Sequence, residues 1–494
     1  MPTVTNVIDC STDGTWFGDV DAGEMFLNFP LDRRIRKYCG IDLSWMSEEG
    51  GTLWECWNRM AMGMSPSPWV TIRLLMWMIE IVVGNPREHS NPFRWDHVVM
   101  NLPGNPSYDP GMPRVYKWNN ISNAIACDCK FFCDDFRVIG PNEALTKRAT
   151  HVLESTMSSL GVQDATRKRR KVSKRPGEWT GSILITVKYL GLFVTVSQKK
   201  WDRAKMIISK WHDRIFRLER KQINYKELER DVGFLVHLSM TYSNMKPFLK
   251  GFYSTMNEWR HDRDESGWKL SHKAYRQFLQ LGRKVNRYDD DVEVTGEKDK
   301  EGTPDSISVV PLMRDHIKVL STMLAQDQQV LLLKRGSSRF EAMYIFGDAS
   351  GLGFGSSSWV TGERVNYRYG IWGLSMGEES SSNYRELRNL VESLEMSGAS
   401  GELNGKEVFL FTDNSTAEAV AAKGSLTSPL LYELVVRLFQ LSSTFLCSVN
   451  IIHVAGTRII NQGSDGLSRG DMLEGVLKGR DMLYISQLLK GNHP

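Results

Sequence analysis

The sequence predicts an α+β protein of several domains, and three features carry that expectation. At 494 residues the chain exceeds what a single hydrophobic core organises. From Asn286 to Val309 the string NRYDDDVEVTGEKDKEGTPDSISV replaces apolar periodicity with charge, Gly and Pro, as a linker does, and it separates a long front part from a compact back part. The back part then runs through three strand patterns, a helix, a strand, one or two helices, a strand and a last helix. That order is the plan of an α/β layer domain around a mixed sheet.

Taken in order, the front part first offers WVTIRLLMWMIEIVVG (Trp69–Gly84), the longest apolar run. It carries Arg73 and Glu80 and falls short of the roughly 18 residues of a membrane span, so a buried helix is expected. CKFFCDDFRVIG (Cys129–Gly140) reads as two apolar strands around a tight turn that bears two acids. Asn224 to Arg260 is helical, mixing Lys and Arg with Tyr, Phe and Trp. In the back part, FEAMYIFGD and GFGSSSWV form a hairpin around Ala349–Leu352, and VNYRYGIWG adds a third strand. Leu387, Leu390, Val391 and Leu394 make a helical stripe behind capping Ser and Asn residues. KEVFLFTD is a short buried strand, DNSTAEAVAAKG and SPLLYELVVRLFQLSSTF are helical, SVNIIHV is a strand, and GSDGLSRGDMLEGV enters a last helix.

Composition narrows the function classes. With 41% hydrophobic and 24% charged residues the chain is an ordinary globular protein. A net charge of +4 provides no global field toward nucleic acid, so any such evidence is local. RKRRKVSKR (Arg167–Arg175) is local evidence, open between a solvated loop, a localisation signal and a phosphate-contacting track. Seven scattered cysteines and no secretory signal point to a reducing, intracellular setting, cytoplasmic or nuclear. Cys127, Cys129 and Cys133 crowd together without a CxxC pair or matching histidines, so they read as packing residues and not as zinc ligands.

The acids of the back part carry chemistry. Asp348 ends the first strand, Glu386 opens the first long helix, Asp413 ends the fourth strand and Asp465 opens the last helix. Strand ends and helix starts on one sheet edge converge, and converging carboxylates call for divalent cations. Two such ions about 3.5–4 Å apart activate a water and stabilise a leaving oxygen in phosphodiester cleavage. All-oxygen ligands favour Mg²⁺, with Mn²⁺ as a substitute. The strings FGDASGLGFGSSSW, NYRELRNLVESLE, VFLFTDNSTAEAV and VAGTRIINQGSDGLSRGD resemble, in order, the motifs of the ribonuclease H domain of retroelement polyproteins. The resemblance spans Tyr344 to Gly475. It implies that Asp348, Glu386, Asp413 and Asp465 hold two metals and that the substrate is the RNA strand of an RNA·DNA hybrid. Many ribonucleases H have a mobile His just before the last Asp, and the loop AGTRIIN has none. His453, on the preceding strand, reads as structural, and Asp471 competes with Asp465 for the fourth place.

In the front part, FCDDF (Phe132–Phe136) resembles the palm motif of reverse transcriptases. DAGEMF (Asp21–Phe26) resembles the first palm motif and MGMSPSP (Met62–Pro68) the second, with Met62 where Gln is common. These resemblances imply that Asp21, Asp134 and Asp135 form a two-metal polymerase centre. They imply that Phe26 lies under the incoming deoxynucleotide sugar and that Gly63 lets backbone approach the nucleotide. Asp19 is an alternative ligand whose spacing to Phe26 is wrong. VKYLG (Val187–Gly191) resembles the primer-supporting turn, and Asn224 to Arg260 resembles the helical thumb.

The whole chain is similar to a reverse transcriptase joined to ribonuclease H, nearest to DIRS-like retrotransposons through FCDDF, the LSR ending and the insert NPFRWDHVVMNLPG. The implied plan is a palm over 1–185, a helical thumb and connection over 186–285, a linker with a connecting helix over 286–338, and a ribonuclease H-like domain over 339–494. Asp21 stands so close to Met1 that the palm is expected to be N-terminally truncated, its fingers largely missing. Implied partners are an RNA template, a DNA primer, the hybrid and deoxynucleotide triphosphates, with Lys168, Arg169, Arg170, Lys199 and Lys200 as nucleic-acid contacts and no membrane. A remnant in which only the hybrid nuclease works, and a non-catalytic nucleic-acid-binding protein, are the alternatives. Nothing in the residues gives the insert Asn91–Trp118 a role.

Overall fold

The computed structural model describes residues 4–48, 50–85, 88–101, 107, 109, 111–165, 170–264, 266–270, 275–276, 302–325, 327–328, 330–332, 342–360, 365–373, 381–424 and 428–471. The chain forms two compact units, one built on 1–101 and 110–194, the other on 195–331 and 339–494. Among the described residues no helix is long and apolar enough to cross a membrane.

The first unit contains β1 (Trp16–Asp21), α1 (Ser67–Val83), β2 (His97–Met100), β3 (Val115–Asn119), β4 (Asp128–Phe132), β5 (Asp135–Gly140), α2 (Glu143–Ser159), β6 (Ser182–Val187) and β7 (Gly191–Thr195). Its central sheet is antiparallel in the order β1-β5-β4. One side of that sheet packs on α1 and α2 through Val20, Phe136, Val138, Leu75, Met78, Ala149 and Leu153. The expectation of a buried helix at Trp69–Gly84 is corrected here. Thr71, Leu75, Met78 and Val82 are covered, while Trp69 and Trp77 are 62% and 55% exposed. A run with so few polar positions, Thr71, Arg73 and Glu80, does not announce which stripe meets the sheet, and only residues three or four apart share a face. The insert Asn91–Trp118 contributes β2 and β3, which pair antiparallel. From β3, Lys117 reaches Asp128 at 2.8 Å, and Lys130 completes that ion pair at 2.6 Å.

The second unit begins with a helical bundle: α3 (Gln198–His212), α4 (Tyr225–Ser239), α5 (Lys250–Asn257) and α6 (Pro311–Ala325). Trp201, Trp211, Leu228, Leu235, Phe252, Met313 and Leu320 form its core. The linker expected over Asn286–Val309 lies outside the described residues up to 301. Its last residues are part of the fold, because Ser306–Ser308 pairs with Gln222–Asn224 and buries Ile307.

The α/β layer follows as β8 (Ala342–Ala349), β9 (Gly353–Val360), β10 (Asn366–Ile371), α7 (Ser382–Ala399), β11 (Glu407–Thr412), α8 (Ser415–Lys423), α9 (Pro429–Thr444), β12 (Ser448–His453), α10 (Gly456–Gln462) and α11 (Ser464–Ser468). Its five-stranded sheet has the order β10-β9-β8-β11-β12. β8, β9 and β10 pair antiparallel, whereas β8 with β11 and β11 with β12 pair parallel. The mixed sheet and the element order up to β12 match the sequence pattern, whereas most of the stretch AGTRIIN, expected as a loop, winds as α10. β8 is the middle strand and is buried along its whole length, as a strand covered on both faces must be. Alternate residues serve two cores, Met343 and Ile345 facing the helices α7 and α9, Tyr344 and Phe346 stacking with Phe409 and Phe411.

Candidate metal centre

Strand register brings the acids of the α/β layer to one edge. Phe346 pairs with Phe411 in the parallel β8–β11 ladder, so both chains run out toward the same edge, where Asp348 and Asp413 follow. Glu386 sits in the first turns of α7, whose start is fixed by the Ser381 hydroxyl accepting from the Tyr384 N–H. The helix comes close because Gly347 leaves room, since a Cβ there would stand 2.7 Å from Leu390. Asn389 then ties α7 across the strands, donating at 2.9 Å to the backbone oxygens of both Asp348 and Gly355. One carboxylate oxygen from each of Asp348, Glu386 and Asp413 lies within 4.8 Å of the others.

The electrostatics of this triad follow from burial. Asp348 and Glu386 are 5% and 6% exposed. Burial raises Asp348 to about 6, with Asp465 and Asp413 adding to the rise and the Ser468 hydroxyl opposing it. Burial, then the charge of Asp348, raises Glu386 to about 9. Glu386 Oε1 accepts the Ala349 N–H at 3.2 Å, while its Oε2 is buried and, among the described residues, has no hydrogen-bond partner. Ser468 on α11 donates to Asp348 Oδ2 at 2.5 Å, and Ser350 donates to the Ser468 backbone oxygen at 2.8 Å. α11 reaches Asp348 because Gly355 lies beneath it, where a Cβ would stand 2.4 Å from Leu467 Cβ.

Asp465 stands beside this group and outside it. Its charge reaches Asp348, and its carboxylate pairs with Arg469 one turn along. Asp471 follows the last described helix, its N–H donating to Gly466 O at 2.8 Å. His453 is exposed, and its Nε2 lies 3.0 Å from the backbone oxygen of Asp413. Ser468, Asn389 and Ser350 escaped the sequence reading. The spacing of Ser468 three residues after Asp465, one turn of the same short helix, was the available signal.

The donor set fits a divalent cation. Three hard oxygen donors converge, and Glu386, which supplies one of them, keeps a buried carboxylate oxygen with no partner among the described residues. Asp413 is exposed, but Asp348 and Glu386, this close and this buried, ionise together only beside positive charge.

The front unit gathers its acids differently. Cys133 and Asp134 form the turn between β4 and β5, with Cys133 in the left-handed region at φ 55°. Asp21 pairs with Asp135 across β1 and β5, and the Ala22 N–H donates to Asp134 O at 2.8 Å, so the three acids share one end of the sheet. Asp19 is engaged elsewhere. It accepts from Arg137 Nε at 2.8 Å and Nη2 at 3.1 Å and from the Gly177 N–H at 3.1 Å. Phe26 lies in a short 3₁₀ turn, Met25–Asn28, half-buried against the core. Gly63 has φ +90° in the turn before α1, with nothing within 4 Å of where a Cβ would stand. The VKYLG turn joins β6 to β7, with Tyr189 67% exposed at its tip. Lys199 and Lys200 open α3 and Arg170 is exposed, whereas Lys168 and Arg169 lie outside the described residues.

No family model and no curated protein sequence matches the chain. Solved structures similar to it include a foamy viral protease-reverse transcriptase in complex with an RNA/DNA hybrid, 9% identical over 88% of this chain and 44% of that one, with a TM-score of 0.36. A foamy viral protease-reverse transcriptase in complex with double-stranded DNA is 9% identical over 92% of this chain and 59% of that one, at 0.37. The ribonuclease H1 of the archaeon Halobacterium salinarum NRC-1 is 18% identical over 27% of this chain and 98% of that one, at 0.23. The chain thus spans about half the length of the two viral proteins.

Proposed function

We propose that the α/β layer is a metal-dependent nuclease that cuts the RNA strand of an RNA·DNA hybrid, in a protein of the retroelement reverse transcriptase–ribonuclease H kind. The observation that carries this reading is the triad Asp348, Glu386 and Asp413, with the unpartnered Glu386 Oε2, at the edge of the mixed sheet. Bound Mg²⁺, two ions in the full reading, or Mn²⁺ in its place, would supply activation of a water and neutralisation of the charge that develops on the phosphate. The chain's own residues fix the geometry. Ser468 orients Asp348, Asn389 holds α7 to the strands, and Asp465 is the fourth acid, available once Arg469 releases it.

The front unit carries the second half of the proposal. Asp21, Asp134 and Asp135 would hold the metals of a DNA polymerase centre, with Phe26 and Gly63 at the nucleotide and the RNA template, DNA primer and deoxynucleotide triphosphates as substrates. The FCDDF turn and the LSR ending support a DIRS-like origin. A narrower reading, in which only the nuclease works, has one observation in its favour. Among the described residues the back triad is the one group of acids drawn together to metal-ligand distance.

A substrate panel tests both. Full-length protein is incubated with an RNA·DNA hybrid, duplex RNA and duplex DNA, in Mg²⁺ and in EDTA. Loss of the RNA strand from the hybrid alone, and only with Mg²⁺, is expected; cutting in EDTA, or of duplex DNA alike, would overturn the nuclease assignment. Primer extension lost in Asp134→Asn and present in wild type separates the full reading from the narrower one.

A further inference from the structure

In the first unit, the segment before β1 reaches the turn between β6 and β7. Thr12 to Thr15 form a tight loop, in which the Thr12 N–H donates to Thr15 Oγ1 at 2.8 Å and the Gly14 N–H to Thr12 Oγ1 at 3.2 Å. The loop buries Asp13 to 6% exposure and aims its carboxylate at the turn, where Oδ2 accepts the Tyr189 N–H at 2.7 Å. The turn itself is closed by the Leu190 N–H, which donates to Val187 O at 3.0 Å. Within it Tyr189 stands in the left-handed region at φ 66°, a conformation that a bulky side chain disfavours and that persists only where its surroundings hold it. The Tyr189 ring is exposed, and the Lys188 ammonium lies 4.8 Å from its centroid. The strands below the tip are held by backbone bonds. Ser173 pairs with Phe17 of β1, and the neighbouring Lys174 oxygen accepts both the N–H and the hydroxyl of Thr186 in β6.

A buried carboxylate bonded to the amide of the left-handed residue fixes which way the tip points. β1 gives that hold its reach. The strand starts at Trp16, shortly after Asp13, and ends at Asp21, and its steps at about 3.3 Å each span about 17 Å. One strand thus has the hold on the turn near its start and, at its end, an acid of the group Asp21, Asp134 and Asp135. We propose that Asp13 is a positioning residue of the DNA polymerase centre, holding the Tyr189 tip at a set distance from those acids so that the turn receives the primer strand. The inference rests on the polymerase reading of the front unit. The Tyr189 ring offers a flat apolar face to a sugar and Lys188 a cation to a phosphate. Neither side chain is presented in one place if the backbone from Val187 to Leu190 relaxes to negative φ. Asp13 therefore acts through the turn and touches no substrate, and an uncharged acceptor oxygen in its place would serve as well.

The test uses the full-length protein and has two arms. In the first, hydrogen exchange of the free protein is followed by mass spectrometry on overlapping peptides that cover Val187–Gly191. The Tyr189 amide, though it sits in an exposed turn, should exchange at least about tenfold more slowly in wild type than in Asp13→Ala, as a bond to a charged acceptor implies. Asp13→Asn, which keeps an acceptor oxygen, should stay near wild type. In the second arm, a DNA primer is extended on an RNA template. Asp13→Ala should raise KM for the primer–template about tenfold while KM for the deoxynucleotide stays within about twofold, and Asp13→Asn should restore the first value. A purely structural defect would lower the amount of active protein and leave both KM values where they were. An unprotected Tyr189 amide in wild type would overturn the inference whether or not Asp13→Ala folds. So would protection that survives in Asp13→Ala, or protection lost there with KM for the primer–template unmoved, which would leave Asp13 a cap on the turn and nothing more. Protection that Asp13→Ala removes, in a wild type that extends no primer, would bring down the polymerase reading and this role with it, whereas extension that ignores Asp13→Ala would bring down the role alone.

Discussion

Replacing Glu386 by Gln tests the carboxylate centre without reference to activity. Glu386 is 6% exposed and is held at about 9 by burial and by Asp348, against an ordinary 4.5. An acid whose folded value is raised binds more protons folded than unfolded. Its share of stability is therefore full below about 4.5 and is lost as pH rises toward about 9. At pH 7 in EDTA, folding must protonate Glu386 across 2.5 pH units, which at 1.36 kcal/mol each costs about 3 kcal/mol. Gln is neutral in both states and avoids that cost. Urea unfolding followed by circular dichroism in EDTA should therefore find Glu386→Gln more stable by about 3 kcal/mol at pH 7, with the gap closing toward pH 5. In Mg²⁺ the order should reverse, because the wild type gains binding energy that the variant has lost. A variant no more stable than wild type in EDTA at pH 7, and equally stabilised by Mg²⁺, would refute the reasoning.

Three further outcomes follow. Asp19→Asn leaves Arg137, which is fully buried between Phe17 and Trp179, without its countercharge, and should cost about 3–5 kcal/mol in urea unfolding, whereas Asp21→Asn should cost far less. His316 is held neutral down to about 4, chiefly by burial, so stability should be full above pH 6.5 and fall by about 3 kcal/mol as pH drops from 6.5 to 4; the same titration of His316→Gln should be flatter. Gly355→Val puts side-chain atoms where Leu467 and the α11 backbone already lie, so it should cost about 1–3 kcal/mol and move Ser468 off Asp348, measured as a lower melting temperature and weaker hybrid cleavage.

The α/β layer was legible because its strands and helices carry short, clean periods. The short, nearly continuous apolar runs of β8 and β11 and the stripe Leu387, Leu390, Val391 and Leu394 each specify one burial pattern, and the acids fall at the element ends. The side of α1 that meets the sheet was not legible, since Trp69, Trp77, Leu75 and Met78 are equally apolar and packing alone selects among them. Asp19 and Asp21 look alike in sequence, and what separates them is Arg137, more than a hundred residues away on the neighbouring strand. The same holds for Ser468 and Asn389, polar residues whose roles depend on close approach at Gly355 and Gly347.

The most direct test of the central claim is cleavage of an end-labelled RNA·DNA hybrid in Mg²⁺ by the full chain, beside its Asp348→Asn variant. RNA cleavage by the wild type and a loss of most of it in the variant, which keeps its fold, are expected. Equal cleavage by both proteins, or an intact RNA strand in a hybrid that the folded wild type binds, would contradict the claim.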